Sequence, residues 1–123
     1  MLGKESFAQR SNYNEDDVVI MRSQQSVGTS IMRLLEAKNA DSALFFFKDK
    51  SAATKKKLKQ IATEIQKYKG KYDFASSPDA PDNEVNHVIC KYTSNEGVDT
   101  HYKVIFVFGR FDKTYKATKI LFK

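Results

Sequence analysis

Two stretches, 84-EVNHVICKYT-93 and 99-DTHYKVIFVF-108, decide the fold. In each, apolar side chains recur at every second position, the period of a strand with one face buried. Asn95, Glu96 and Gly97 lie between them, and a three-residue hairpin loop with Gly97 in the left-handed conformation brings Ser94 near Val98. That register sets Cys90 opposite Tyr102 and Val88 near Val104. Val88, Cys90, Tyr92, Tyr102, Val104, Phe106 and Phe108 then share one face, the expected core face of an antiparallel sheet.

Outward from this hairpin the same reading gives two further strands. 71-KYDFAS-76 is short and is followed by a loop, 75-ASSPDAPDNE-84, that holds both prolines. 113-KTYKATKILFK-123 is the last strand, reached through 109-GRFD-112. Upstream the period lengthens to that of helices. Asn14 is the expected N-cap of a first helix, with Glu15, Asp16 and Asp17 meeting the positive end of its dipole. Ile20, Val27, Ile31, Leu34 and Leu35 form its apolar face, although the β-branched run Val18–Ile20 leaves a short initial strand open. Asn39 ends that helix. Asp41 caps a short second one that turns Leu44, Phe45 and Phe47 inward and Phe46 toward the edge. Ser51 caps a third, Gly70 stands at its C′ position, and Leu58, Ile61, Ala62, Ile65 and Tyr68 mark its buried stripe. The expectation is an α+β domain over residues 14–123, three helices on a curved antiparallel sheet of about four strands, preceded by a flexible segment 1–13.

Composition agrees with one globular domain. The 123 residues are 41% hydrophobic, 12% aromatic and 29% charged, which excludes the composition of a disordered chain. Cys90 is the only cysteine, so no intrachain disulfide forms and the redox compartment stays open. No apolar run is long enough to span a bilayer, and no secretory leader is visible. The compartment is the cell envelope or the exterior if a leader has been removed, and the cytoplasm otherwise.

The net charge of +6 is concentrated in one place. Residues 48–71 hold nine lysines against two acids, so the remainder of the chain is close to neutral. On a helix turning about 100° per residue, Lys56, Lys59 and Lys67 project away from the apolar stripe while Lys55 and Lys57 flank it, the pattern of a solvated face. Lys55, Lys56 and Lys57 nevertheless stand in the first two turns, where cations oppose the helix dipole. Lys55, Lys56, Lys57 and Lys59 are therefore the anion-binding candidates. Nucleic acid is disfavoured, because the segment has no arginine and only Tyr68 and Tyr72 for stacking.

Catalytic and metal constellations are sparse. Cys90 and His87 are three apart on a strand and point to opposite faces, so they do not make a nucleophile–base pair. His87, expected opposite Ile105, is too far from His101 to share a metal ion. Glu15, Asp16 and Asp17 lack calcium-loop spacing. No phosphate-cradling glycine loop or nucleophile elbow is present, and no cofactor is implied.

The stretches 30-SIMRLLEAKNADSALFFF-47 and 58-LKQIATEIQKYKGKYDF-74, with the closing YKVIFVF and TKILFK, resemble the nuclear transport factor two-like (cystatin-like) superfamily, in particular its small bacterial domains of unknown function. The resemblance covers most of residues 15–123 and implies a cone-shaped fold with a pocket between sheet and helices. Its members include isomerases, dehydratases and noncatalytic envelope domains, so it does not select an activity. Tyr92, Tyr102, Phe106, Phe108 and Phe45 are the residues expected to line that pocket. The carboxylate base and hydrogen-bonding acid of isomerase members have only Asp41 and Tyr102 as counterparts, and neither is assigned a catalytic role. The function expected is a noncatalytic binding or assembly module for an apolar ligand or a protein partner. A homodimer through Ile105, Val107 and Ile120 or Leu121 on the outer sheet face is compatible with it. The alternatives are a small pocket enzyme of isomerase or dehydratase type, and anion or nucleic-acid binding through the helix at 51–69.

Overall fold

In the computed structural model, which describes residues 15–94 and 101–123, Tyr92 pairs with Tyr102, Cys90 with Val104 and Val88 with Phe106. The register is two residues away from the one a three-residue loop at Gly97 predicts. Side-chain direction repeats every two residues, so this shift leaves the same residues on the core face. The loop itself lies outside the described residues, as do the proposed cap Asn14 and the segment 1–13.

The strands β1 (Tyr72–Asp79), β2 (Val85–Ser94), β3 (His101–Gly109) and β4 (Lys119–Phe122) form one antiparallel sheet in the order β1-β2-β3-β4. β1 runs further than expected, through Pro78, which pairs with Val88. Proline is tolerated there because β1 is an edge strand and its missing N–H removes no bond from a central ladder. β4 is shorter than expected, since residues 113–118 form a loop whose Ala117 bridges to Phe47.

Among the described residues three helices precede the sheet: α1 (Glu15–Glu36), α2 (Ala40–Leu44) and α3 (Ala52–Gln66). The run Val18–Ile20 is helical. α1 ends in a Schellman turn, in which Asn39 N–H donates to Leu34 O at 2.8 Å and Lys38 N–H to Leu35 O at 3.0 Å, with Lys38 at φ 60°. Asn39, not Asp41, caps α2, its Oδ1 accepting from Ser42 N–H at 3.2 Å. The turn already directs the Asn39 side chain at the free amides, and Asp41 is drawn to Lys55. Ser51 caps α3 as expected, but the helix stops at Gln66. Gly70, at φ 87°, instead serves the turn that leads into β1, where Tyr68 O accepts from both Lys71 and Tyr72 N–H.

Ile31, Met32 and Leu35 of α1, Phe47, and Leu58, Ile61 and Ile65 of α3 pack on Val88, Cys90, Tyr92, Val104, Phe106 and Phe108 of the sheet. Phe45 does not turn inward as its spacing predicts: it is 62% exposed, while Phe47 is buried and Leu44 and Phe46 are half-buried. α2 is only five residues long and the chain leaves it in a turn, so three consecutive phenylalanines fan out instead of following a helical face. The outer sheet face also differs from expectation. Ile105 and Val107 are 7% exposed each, and Ile120 faces the helices beside Phe106. Ile105 sits between Ile89 and Leu121, and Val107 between His87 and Lys119, so cross-strand neighbours flank both from either side.

Gly28 sets the approach of α1 to the sheet. A Cβ there would lie 2.6 Å from Val88 Cγ1 and 3.4 Å from Phe106 Cδ2, so no side chain fits without movement. Gly28→Ala is expected to destabilise the fold by about 1–3 kcal/mol despite the higher helix propensity of alanine. In a double-mutant cycle by denaturant unfolding, this cost shrinks in the Val88→Ala background. An additive cycle would contradict the close contact.

Candidate functional site

The aromatic residues expected to line a pocket are the core itself. Tyr92 and Tyr102 stack at 4.7 Å between centroids with 14° between planes, and Phe74, Tyr68 and Phe122 close around them at 5.4, 4.7 and 5.0 Å. Phe106 meets Phe47 edge-on at 6.4 Å, and Phe108 is fully buried. Only Phe45 of the five stands outside.

Tyr92 Oη donates to Glu36 Oε2 at 2.9 Å, and Arg33 binds the other oxygen of that carboxylate at 2.9 Å. Burial raises the Tyr92 phenol, and the Glu36 hydrogen bond and charge raise it further. Tyr102 is raised by burial first and then by Tyr68, Glu36 and Glu64, so both phenols stay neutral. Glu36 escapes sequence reasoning because its neighbours in space, Tyr92 and Gln66, belong to other elements. Cys90 is buried and paired with Val104, and burial pushes its thiol up to about 12. His87 pairs with Val107 and Thr93 with His101, which separates the two histidine positions by six residues, about 20 Å along the strands. Among the described residues no group of three His, Cys, Asp or Glu side chains is placed to hold a metal ion.

A second polar assembly was not visible in the sequence. Asp17, expected at the helix dipole, is buried with its Oδ2 3.8 Å from Arg110 Nη2, while Asp16 is exposed. Arg110 Nη1 donates to Asn83 Oδ1 at 3.0 Å, and Gln24 links Asn86 Nδ2 and Gly109 O, each at 2.9 Å. The one available signal was Asn86, a polar residue on the buried side of an otherwise apolar alternation. These groups tie the start of α1 to the end of β3.

The lysine segment resolves into separate directions. Lys55 Nζ pairs with Asp41 Oδ1 at 2.8 Å, and Lys67 pairs with Glu64 at 3.0 Å. The Asp41 carboxyl lies below its ordinary value through the Lys55 hydrogen bond and charge, with Lys59 adding to it. The dipole of α3 is compensated from outside the helix: Asp49 accepts from Ser51 N–H at 2.9 Å and from Thr54 Oγ1 at 2.9 Å. These bonds, the Ser51 amide first, hold the Asp49 carboxyl low. Their contribution to folding is present above the unfolded carboxylate range and is lost as acid protonates Asp49.

Lys59 does not point away with Lys56. Together with Ala62, Thr63 and Gln66 it forms one wall of a groove of about 500 Å³, whose other wall is Lys38, Asn39, Ala40 and Asp41. Several of its polar groups are committed. Asp41 holds Lys55, Thr63 Oγ1 donates to Lys59 O at 3.0 Å, and Gln66 Nε2 donates to Leu35 O and Glu36 O at 3.3 and 2.9 Å. Lys38 and Lys59 have no carboxylate partner within ion-pair distance among the described residues. No family model, no curated protein and no solved structure matches the chain.

The thiol geometry makes a direct test. Native protein at about pH 8 is expected to leave Cys90 unmodified by a thiol-reactive disulfide over the minutes in which denatured protein is fully labelled. Rapid labelling of the native state would mean that the strand pair opens readily.

Proposed function

We propose that the chain is a noncatalytic binding module that takes an anionic group, a carboxylate or a phosphate, in the groove between the α1–α2 corner and α3. The observation that carries this reading is a concavity lined by Lys38 and Lys59, neither within ion-pair distance of a carboxylate among the described residues, where Asp41, the one carboxylate of the described lining, is held by Lys55 at 2.8 Å. An anion there meets two cations and the Asn39 amide, whose oxygen is engaged with Ser42 and whose nitrogen remains a donor. Lys38 is held in the left-handed region by the turn that ends α1, so its backbone position is fixed before any ligand arrives.

The noncatalytic part of the proposal rests on which groups reach the groove: its shifted carboxyl, Asp41, is held ionised by the Lys55 hydrogen bond and charge, which suits it poorly to take up a proton. Cys90, Tyr92 and Tyr102, whose protons are held most tightly, belong to the packed interior and not to the groove. The order, among the described residues, of three helices and a curved four-stranded meander supports placing the chain with the nuclear transport factor two-like superfamily, as part of the same proposal.

Titration with sodium phosphate at constant ionic strength, followed by amide NMR, tests the reading. Shifts are expected at residues 38–41 and 59–66, with affinity falling roughly tenfold or more in Lys38→Glu/Lys59→Glu. Shifts spread evenly over Lys56, Lys57, Lys91 and Lys119, or unchanged affinity in the double variant, would reject it.

A further inference from the structure

A second surface carries charge and exposed aromatic area together. Phe45 and Phe111 are 62% and 60% exposed, and they stand on two segments that are bonded to each other. Ala117 N–H donates to Phe46 O at 2.7 Å, Lys48 N–H to Ala117 O at 2.9 Å, and Lys48 Nζ lies 3.2 Å from Asp112 Oδ2. Residues 45–50 and 110–116 bring four lysines, Lys48, Lys50, Lys113 and Lys116, and two acids to this surface, while Arg110 is buried against Asp17. Both acids are committed, Asp49 to the start of α3 and Asp112 to Lys48 and Thr114.

The Phe45 ring is fixed by its cations. Lys116 Nζ donates to Phe45 O at 2.9 Å and lies 3.8 Å over the ring centroid, while Lys50 Nζ donates to Phe47 O at 2.9 Å and lies 6.0 Å from the same ring. These lysines satisfy carbonyls that the short α2 leaves free, and they place ammonium groups beside an exposed phenyl. We infer that this surface docks on an anionic phospholipid bilayer, with Phe45 entering the acyl boundary and the lysines meeting lipid phosphates. Charge complementarity carries the assignment: a phenyl flanked by ammonium groups matches an interface where hydrocarbon lies directly beneath phosphate. A stacked nucleobase fits less well, because Lys116 covers one face of the ring and leaves a base only the other. Contact is peripheral on the described part of the chain, where no helix is long and apolar enough to cross a membrane.

The sequence contains no tryptophan, so Phe45→Trp supplies a unique fluorophore at the contact. With vesicles of phosphatidylcholine and phosphatidylglycerol, its emission is expected to shift to the blue and to be quenched by brominated acyl chains, and both effects fade in high salt. Phe45→Ser is expected to lower vesicle co-sedimentation about tenfold while leaving the circular dichroism spectrum unchanged. An unshifted emission with anionic vesicles at low salt overturns the inference, as does an equal shift with phosphatidylcholine alone. A response to a single-stranded oligonucleotide without a response to vesicles overturns it in favour of nucleic acid. Co-sedimentation indifferent to Phe45→Ser does so as well.

Discussion

The missing side chain at Gly28 governs how the two layers meet. Because the Val88 methyl occupies the space a Cβ would need, α1 lies directly on β2. That distance lets Gln24 reach the carbonyl of Gly109, and Gln25 and Thr29 reach Ser76 on β1. Polar ties of this kind depend on a few tenths of an ångström, since a buried donor drawn out of range loses its partner without regaining water. One glycine therefore sets apolar packing against β2 and hydrogen bonding at both ends of the sheet.

The sheet was legible because its signal is redundant. Every second residue of β2 and β3 repeats the same message, and a register displaced by two residues leaves each side chain on its side. The helices were legible in their stripes and less so at their ends, where single hydrogen bonds decide. Asn39 and Asp41 both suit a cap, and the pull of Lys55 on Asp41 is a contact between elements that no local pattern encodes. Of the three phenylalanines after α2, Phe47 and Phe46 lie where their spacing predicts, and Phe45 departs from it for a related reason. Their directions follow from a turn and a bridge to Ala117, seventy residues away in the chain. The groove was invisible in the same sense, since it exists only where the left-handed Lys38 corner faces one side of α3.

Charge behaves differently on α3 than its density suggests. The lysines are distributed around the helix, so they do not converge on one small ion. Lys55 and Lys67 are spent on carboxylates, Lys59 turns into the groove, and Lys56 and Lys57 remain exposed. The unfavourable position of cations near the helix start is offset by Asp49, which lies before the helix and accepts from the amide of the cap residue Ser51 and the hydroxyl of Thr54. A segment that reads as a single basic block is thus three arrangements with different chemistry.

Pro78 bears on a hazard common to sheet proteins. An open outer strand offers a template on which a second chain can add its own backbone, and repetition of that step builds fibres. β1 lacks one donor at Pro78, and the carboxylates of Asp73 and Asp79 are exposed near its two ends. A copy of the same strand arriving alongside meets like charge and a gap in the ladder. The outermost strand thereby discourages self-templated growth without a covering helix.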